Sequence, residues 1–252
     1  MRNFVRGARP VLAVTGMASE ARLAAGAGVV TITGRAGAAR LSHDIHCRAV
    51  LSFGIAGALD PTLAPGDVII ASTIVSGTRR WPVDARLAQR LADVLRRGAM
   101  RVVRADLLGV DAPLLHPRAK EQMRGTTGAA AVDMESHRAA AYAAERRIPF
   151  ASLRVVCDPA ERALPPLAVD AILSNGRLNM VSLIAGVLRH PWQVTAITRV
   201  ANDARIAFWA LHVCRQLLGA GLGVPDFAEQ NYLRADAVES HRTASVNASP
   251  IG

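Results

Sequence analysis

The chain has 252 residues, 51% hydrophobic and 20% charged, with 20 Gly, 13 Pro and 3 Cys. That suits one α/β domain with a sizeable core, and excludes a chain disordered over most of its length. The charge of +10 suggests a polyanion partner, but Lys120 is the only lysine, the arginines are dispersed and aromatics are 4%, so no base-stacking platform forms.

The elements follow in chain order. Residues 11–15 form a short apolar run read as a buried strand ending at Gly16, and residues 18–25 read as a helix. Val29–Thr33 is a second strand, closed by the 34–37 turn. Residues 48–53 form a third, running into a glycine turn at Gly54-Ile-Ala-Gly57. Residues 67–75 are a β-branched strand. Asp84 suits the cap of a helix over 85–97, with Leu87, Leu91, Val94 and Leu95 on one face. Residues 102–107 are a strand, 136–147 an alanine-rich helix and 150–156 another strand, ending at Cys157-Asp158-Pro159. Apolar helices follow over 178–188 and 194–218, the second with Ile197, Val200, Ala204, Phe208 and Leu211 in one stripe.

The predicted fold class is therefore α/β: one domain over residues 1–227, with a mostly parallel or mixed central sheet and helices on both faces. Residues 228–252 are polar and read as a loose tail. The longest apolar run, 178–188, contains Asn179 and Ser182 and falls short of the ~20 residues of a membrane-spanning helix. The apolar stretch near the N-terminus ends by Met17, too short for a signal peptide, so a cytoplasmic protein is expected. Cys47, Cys157 and Cys214 are odd in number and lack a CxxC, so no disulfide framework is implied.

In such sheets ligands sit beyond the carboxyl ends of the strands. Those places here are residues 16–20, 54–57, 111–114, 133–135 and 158. Taken singly, each has an ordinary explanation. Gly54 and Gly57 suit a tight turn, Asp133 or Ser136 suits a helix cap, Glu135 favours a helix N-terminus, and Asp158 suits a turn before proline. The combination is more specific than its members.

Gly54-Ile-Ala-Gly-Ala-Leu59 with Pro65-Gly-Asp67, Val132-Asp-Met-Glu135 and Arg154-Val-Val-Cys-Asp158 resemble the signature of the nucleoside phosphorylase superfamily. That group holds purine and uridine phosphorylases and methylthioadenosine/S-adenosylhomocysteine nucleosidase. The match runs from about Val11 to Asp158 and keeps the motif order. The Asp-Met-Glu-Ser-His wording and the apolar C-terminal helices look most similar to the hopanoid-associated phosphorylase, which implies release of adenine from adenosylhopane.

The resemblance implies roles that chemistry can examine. Breaking a nucleoside C1′–N bond builds positive charge on the ribose and negative charge on the base. Asp158 holds the position of the acid that protonates the leaving purine, and burial at an apolar strand end favours its protonated form. Glu135 holds the position that accepts from the ribose hydroxyls and faces the developing cation, and Met134 packs on the sugar. Gly54, Ala56 and Gly57 let the backbone approach the ligand.

The nucleophile separates hydrolysis from phosphorolysis. Gly16-Met-Ala-Ser-Glu20 resembles the nucleosidase loop, with Glu20 in the water-activating position and Arg154 beside it. Ser52 and Ile55 stand where some bacterial phosphorylases carry phosphate-binding arginine and serine. Residue chemistry favours hydrolysis, against the subfamily's name. Inorganic phosphate as co-substrate stays open, because Arg22, Arg35 or Arg40 can supply contacts.

Two departures stand out. Where the nucleosidases stack an aromatic on the base, this chain has Asp111-Ala112-Pro113-Leu114, which leaves apolar contact only. The stretch between Glu20 and Gly54 is also short and suggests a missing strand.

No metal or organic cofactor is expected. His43 and His46 have helical ligand spacing, but no third ligand group accompanies them, and His137 reads as a packing or capping residue. The apolar 178–188 segment with Trp192 and Trp209 suits ordinary core, a subunit contact or a vestibule for a lipid tail. The expected partners are a small nucleoside, lipid-linked in the hopanoid reading, a second copy of the chain, and peripherally a membrane surface. Nucleic acid is excluded. A methylthioadenosine-type nucleosidase and a non-catalytic nucleotide binder remain as alternatives.

Overall fold

The computed structural model describes residues 9–34, 45–164 and 194–225. The segment 178–188, Trp192, His43, Arg35, Arg40 and the 228–252 tail lie outside the described residues. Eight strands and five helices are described: β1 Val11–Thr15, α1 Ala18–Ala24, β2 Val29–Thr33, β3 Ala49–Ala58, β4 Val68–Ser76, β5 Arg79–Pro82, α2 Ala85–Arg97, β6 Val102–Gly109, α3 Pro117–Thr127, β7 Ala131–Asp133, α4 Ser136–Arg146, β8 Phe150–Asp158 and α5 Val194–Leu218.

The sheet is mixed. Strand β1 pairs in parallel with β2 and β3, β3 with β8, and β4 and β7 with β6; β3–β7, β4–β5 and β4–β8 are antiparallel. The pairing path β3-β8-β4-β6-β7 returns to β3, so five strands close on one another. Closure is possible because β3 is long: its first half pairs β1, while Gly57 and Ala58 turn to pair β7. The expected glycine turn at 54–57 is therefore strand. Backbone pairing to β8 and β7 uses the glycines to admit neighbouring side chains rather than to reverse the chain.

Apolar residues on alternate sides of the strands feed two cores. One holds Leu51, Phe53, Leu153, Val155 and Cys157 against α2 and α5, and the other holds Val50, Ala56, Ala58 and Val156 against α4. On α2, Asp84 accepts from the Leu87 N–H at 2.8 Å, and Leu87, Leu91 and Leu95 are buried; Val94 stays partly exposed. On α5 the buried stripe is Ala207, Ala210, Leu211, Cys214 and Leu218, rotated from the expected one. Three elements were not anticipated: β5, α3 and β7. Strand β2 lies between Glu20 and Gly54, pairing with β1 at the sheet edge. No helix among the described residues is long and apolar enough to cross a membrane.

Candidate active site

Arg154 organises the carboxyl end of the sheet. It is fully buried in β8, and its Nε lies 2.6 Å from Asp133 Oδ2 and its Nη1 3.5 Å from Glu135 Oε2. Its Nη2 donates to Ser52 Oγ at 2.5 Å and its Nη1 to the Ile55 carbonyl at 3.3 Å. Below it, Ser136 Oγ contacts Asp133, Ser52 at 2.9 Å and Ser152 at 3.0 Å. Burial works against the guanidinium charge, yet Asp133, Glu135 and Glu20 together hold Arg154 above its ordinary range.

Glu20 reaches the same place from α1. One oxygen accepts from the Gly16 and Met17 N–H groups at 2.7 and 2.8 Å, and the other accepts from the Ile55 N–H at 2.8 Å. The carboxylate thus closes the start of α1 and also reaches into β3. It is 1% exposed, and burial pushes it above the usual carboxylate range against Arg154 and the three N–H donors. Gly54 makes this possible, since a Cβ there would stand 2.6 Å from Arg154 Nη1 and collide with Glu20.

Glu135 sits just before α4, its carboxylate lying over Gly16, where a Cβ would come within 2.7 Å of Oε1. Burial pushes it up to about 7; Arg154 opposes this, while Asp133 and Glu20 add to it. Glu20, Asp133, Glu135 and Arg154 are therefore one electrostatic unit. Asp133, expected only as a cap, does accept from the Ser136 N–H at 3.2 Å, but it is also the carboxylate closest to Arg154.

Asp158 ends β8. Leu153, Val155 and Cys157 enter one core and Arg154 and Val156 face the other way; the register with β3 then shifts, so that Val156 pairs with Ala56 and Asp158 pairs with Gly57 across a bulge at Cys157. Burial pushes the Cys157 thiol up to about 12, and both Asp158 and Glu20 add to the shift. Gly57 keeps the approach to Asp158 open, a Cβ there standing 3.0 Å from Oδ2.

The expectation that apolar burial alone surrounds Asp158 is corrected here. Its Oδ2 is 2.5 Å from the Nζ of Lys120 on α3, itself 1% exposed. Sequence reasoning noted Lys120 only as the lone lysine.

A family model described as the phosphorylase superfamily matches residues 4–189. The chain belongs to that superfamily. Solved structures share the fold of this phosphorylase-superfamily chain. A 5′-methylthioadenosine/S-adenosylhomocysteine nucleosidase from Helicobacter pylori, complexed with a pyrrolidine-based ligand, aligns at 13% identity over 84% of this chain and 97% of its own, with a TM-score of 0.60. The Neisseria meningitidis enzyme of the same name, in complex with methylthio-immucillin-A, aligns at 19% identity over 71% and 98%, with a TM-score of 0.57. A Helicobacter pylori futalosine hydrolase mutant aligns at 15% identity over 59% and 89%, with a TM-score of 0.52. No curated protein sequence matches the chain.

Other expected site residues of this superfamily chain fall as follows. Ala56 is buried beside Gly57 in β3, and Met134 is half-buried between Asp133 and Glu135. Asp111, Ala112 and Pro113 are exposed beyond β6, where Asp111 pairs with Arg138 and lies 3.4 Å from His137. Leu114 packs beside Val110 and Met123 against a small core of Leu59, Leu108, Ala129 and Val132. The Asp67 of Pro65-Gly-Asp67 takes the Ala64 N–H at 2.8 Å and pairs with Arg101, so it shapes the turn. Arg22 is exposed and donates to the Ala18 carbonyl at 3.3 Å. Among the described residues no group of three His, Cys, Asp or Glu could hold a metal ion. A cleft of about 380 Å³ lined by Pro159, Glu161, Arg162, Ala163 and Arg199 opens past β8; none of the three candidate carboxylates lines it.

Proposed function

We propose that this chain hydrolyses the N-glycosidic bond of a purine nucleoside. Glu20 accepts a proton from the attacking water, Glu135 accepts from the ribose hydroxyls, and Asp158 protonates the departing base. Met134 and the backbone of Gly54, Ala56 and Gly57 supply the contact surface, and Leu114 with Ala112 and Pro113 supplies apolar contact to the base. The observation that carries hydrolysis is the placing of Glu20 and Glu135 around Arg154. A phosphate dianion entering there meets two carboxylates and an arginine already engaged by Asp133; a neutral water does not. Glu20 uses three of the roughly four acceptor sites of a carboxylate, which leaves one for water. A base lifted by burial is also better matched to accepting a proton near neutrality.

For the substrate we favour adenosylhopane, from the Asp-Met-Glu-Ser-His segment and the apolar composition of the C-terminal part of the sequence. Trp209 on α5 is 66% exposed, and in this reading it meets a lipid tail or a second copy. The reaction needs no metal or organic cofactor.

The test is adenine release from adenosylhopane, methylthioadenosine and S-adenosylhomocysteine, with and without phosphate. Release without phosphate, yielding free sugar and fastest with adenosylhopane, is expected. Sugar 1-phosphate formed only with phosphate overturns hydrolysis, and no release from any nucleoside overturns the whole reading.

A further inference from the structure

Helix α3 is polar in sequence, and the one fully buried residue it contributes is a lysine. Burying an ammonium costs several kcal/mol unless it is paired and fully hydrogen-bonded, and an apolar side chain of that length would fill the space without the cost. Lys120 meets the condition. Its Nζ donates to Asp158 Oδ2 at 2.5 Å, to the Pro159 carbonyl at 2.9 Å and to the Arg162 carbonyl at 3.3 Å. Three N–H groups meet three acceptors, so the geometry is that of the charged ammonium with no donor left over. All three acceptors belong to the end of β8 and the segment that follows it.

We infer that Lys120 is the positioning residue of Asp158: it takes Oδ2, ties the carboxyl to residues 159–162, and leaves Oδ1 as the oxygen that carries the proton to the purine. The inference rests on the nucleoside reading above. A carboxyl protonated on Oδ1 still accepts at Oδ2, so the contact to Lys120 survives both proton states. As the C1′–N bond breaks, its electron pair passes to the purine nitrogen and the Oδ1 proton follows. Asp158 is left as a carboxylate against an ammonium already in place, which favours the transition state over the ground state. Water forms the new C1′–O bond and gives its proton to Glu20, and exchange with solvent returns that proton to Asp158 before the next turnover.

The experiment is a double-mutant cycle on adenine release by the full chain. Lys120→Met is expected to lower kcat by at least ~100-fold while KM stays within about threefold. Combined with Asp158→Asn, it is expected to be no slower than Asp158→Asn alone, because Lys120 acts only through that carboxyl. If Lys120→Met does not fold by circular dichroism, Lys120→Gln carries the same cycle, removing the charge while keeping a donor for the carbonyls. Losses that multiply in the double variant, or a loss confined to KM, overturn the role of Lys120. A wild-type protein that releases no adenine instead overturns the nucleoside reading on which this rests, so the two failures are told apart by the wild-type control.

Discussion

The surroundings of Arg154 and of Asp158, both on β8, carry opposite charge arrangements. Around Arg154, three carboxylates share one cation, and the surplus negative charge lifts Glu135 to about 7 after burial has done most of the work. At Asp158 a single carboxylate is matched one to one by a buried ammonium. Glycosidic cleavage needs that asymmetry. Positive charge grows on the sugar, where surplus carboxylate stabilises it, and negative charge grows on the base, where a cation behind the acid stabilises what the proton leaves behind. A site built only to bind a nucleoside would gain nothing from opposite charge at its two ends.

The largest expected effect comes from removing the cation of the first end. Arg154→Met leaves Glu20, Asp133 and Glu135 buried together without compensation. Losing one partner of a buried ion pair costs about 3–5 kcal/mol. Urea unfolding at pH 7.5 should show a loss of that order, and a loss below about 1 kcal/mol would mean that the carboxylates do not depend on Arg154.

The next effect separates the two ends by chemistry. Asp158→Asn and Glu20→Gln should each lower kcat for a purine nucleoside by about 10²–10⁴-fold. A nitrophenyl riboside, whose leaving group needs no proton, should restore turnover to Asp158→Asn and leave Glu20→Gln slow. Equal rescue of both variants would break the division between a base end and a water end.

The sequence made some of this visible and hid the rest for physical reasons. Helix α2 is legible because a capping Asp84 precedes an apolar stripe, and β1 and β2 because short apolar runs end at glycine. Strand β7 has three residues, too few for a pattern, and α3 buries a lysine instead of an apolar face, so hydrophobic periodicity passes over both. Gly54 and Gly57 look like a turn because glycine so often makes one; here they are strand residues whose missing side chains admit Glu20, Arg154 and Asp158. Strand ends located Glu20, Glu135 and Asp158, and the family motif gave them roles. Lys120 and the pairing of Asp133 to Arg154 depend on contacts across 38 and 21 positions of chain, which no local signal carries. The cue within the sequence was compositional: one lysine in an arginine-rich chain.

The smallest expected effect is a pH dependence of the sugar end alone. Glu135 must be ionised to accept with both oxygens from the ribose hydroxyls and to stabilise a growing cation, so kcat/KM should rise with pH and level off above about 7. Stability should run the other way. The folded protein holds the Glu135 proton up to about 7, whereas the unfolded chain releases it near the ordinary value of 4.5. Between those limits the folded state binds more protons, so stability falls as pH rises through that window and is flat above it. Glu135→Gln has no proton to lose there. Its Tm should match the wild type near pH 4.5 and exceed it by several degrees at pH 8, corresponding to about 3 kcal/mol. A glutamine variant less stable than wild type at pH 8 would show that Arg154 holds Glu135 ionised in the folded state, and the surplus of negative charge that distinguishes the sugar end from the base end would then be absent.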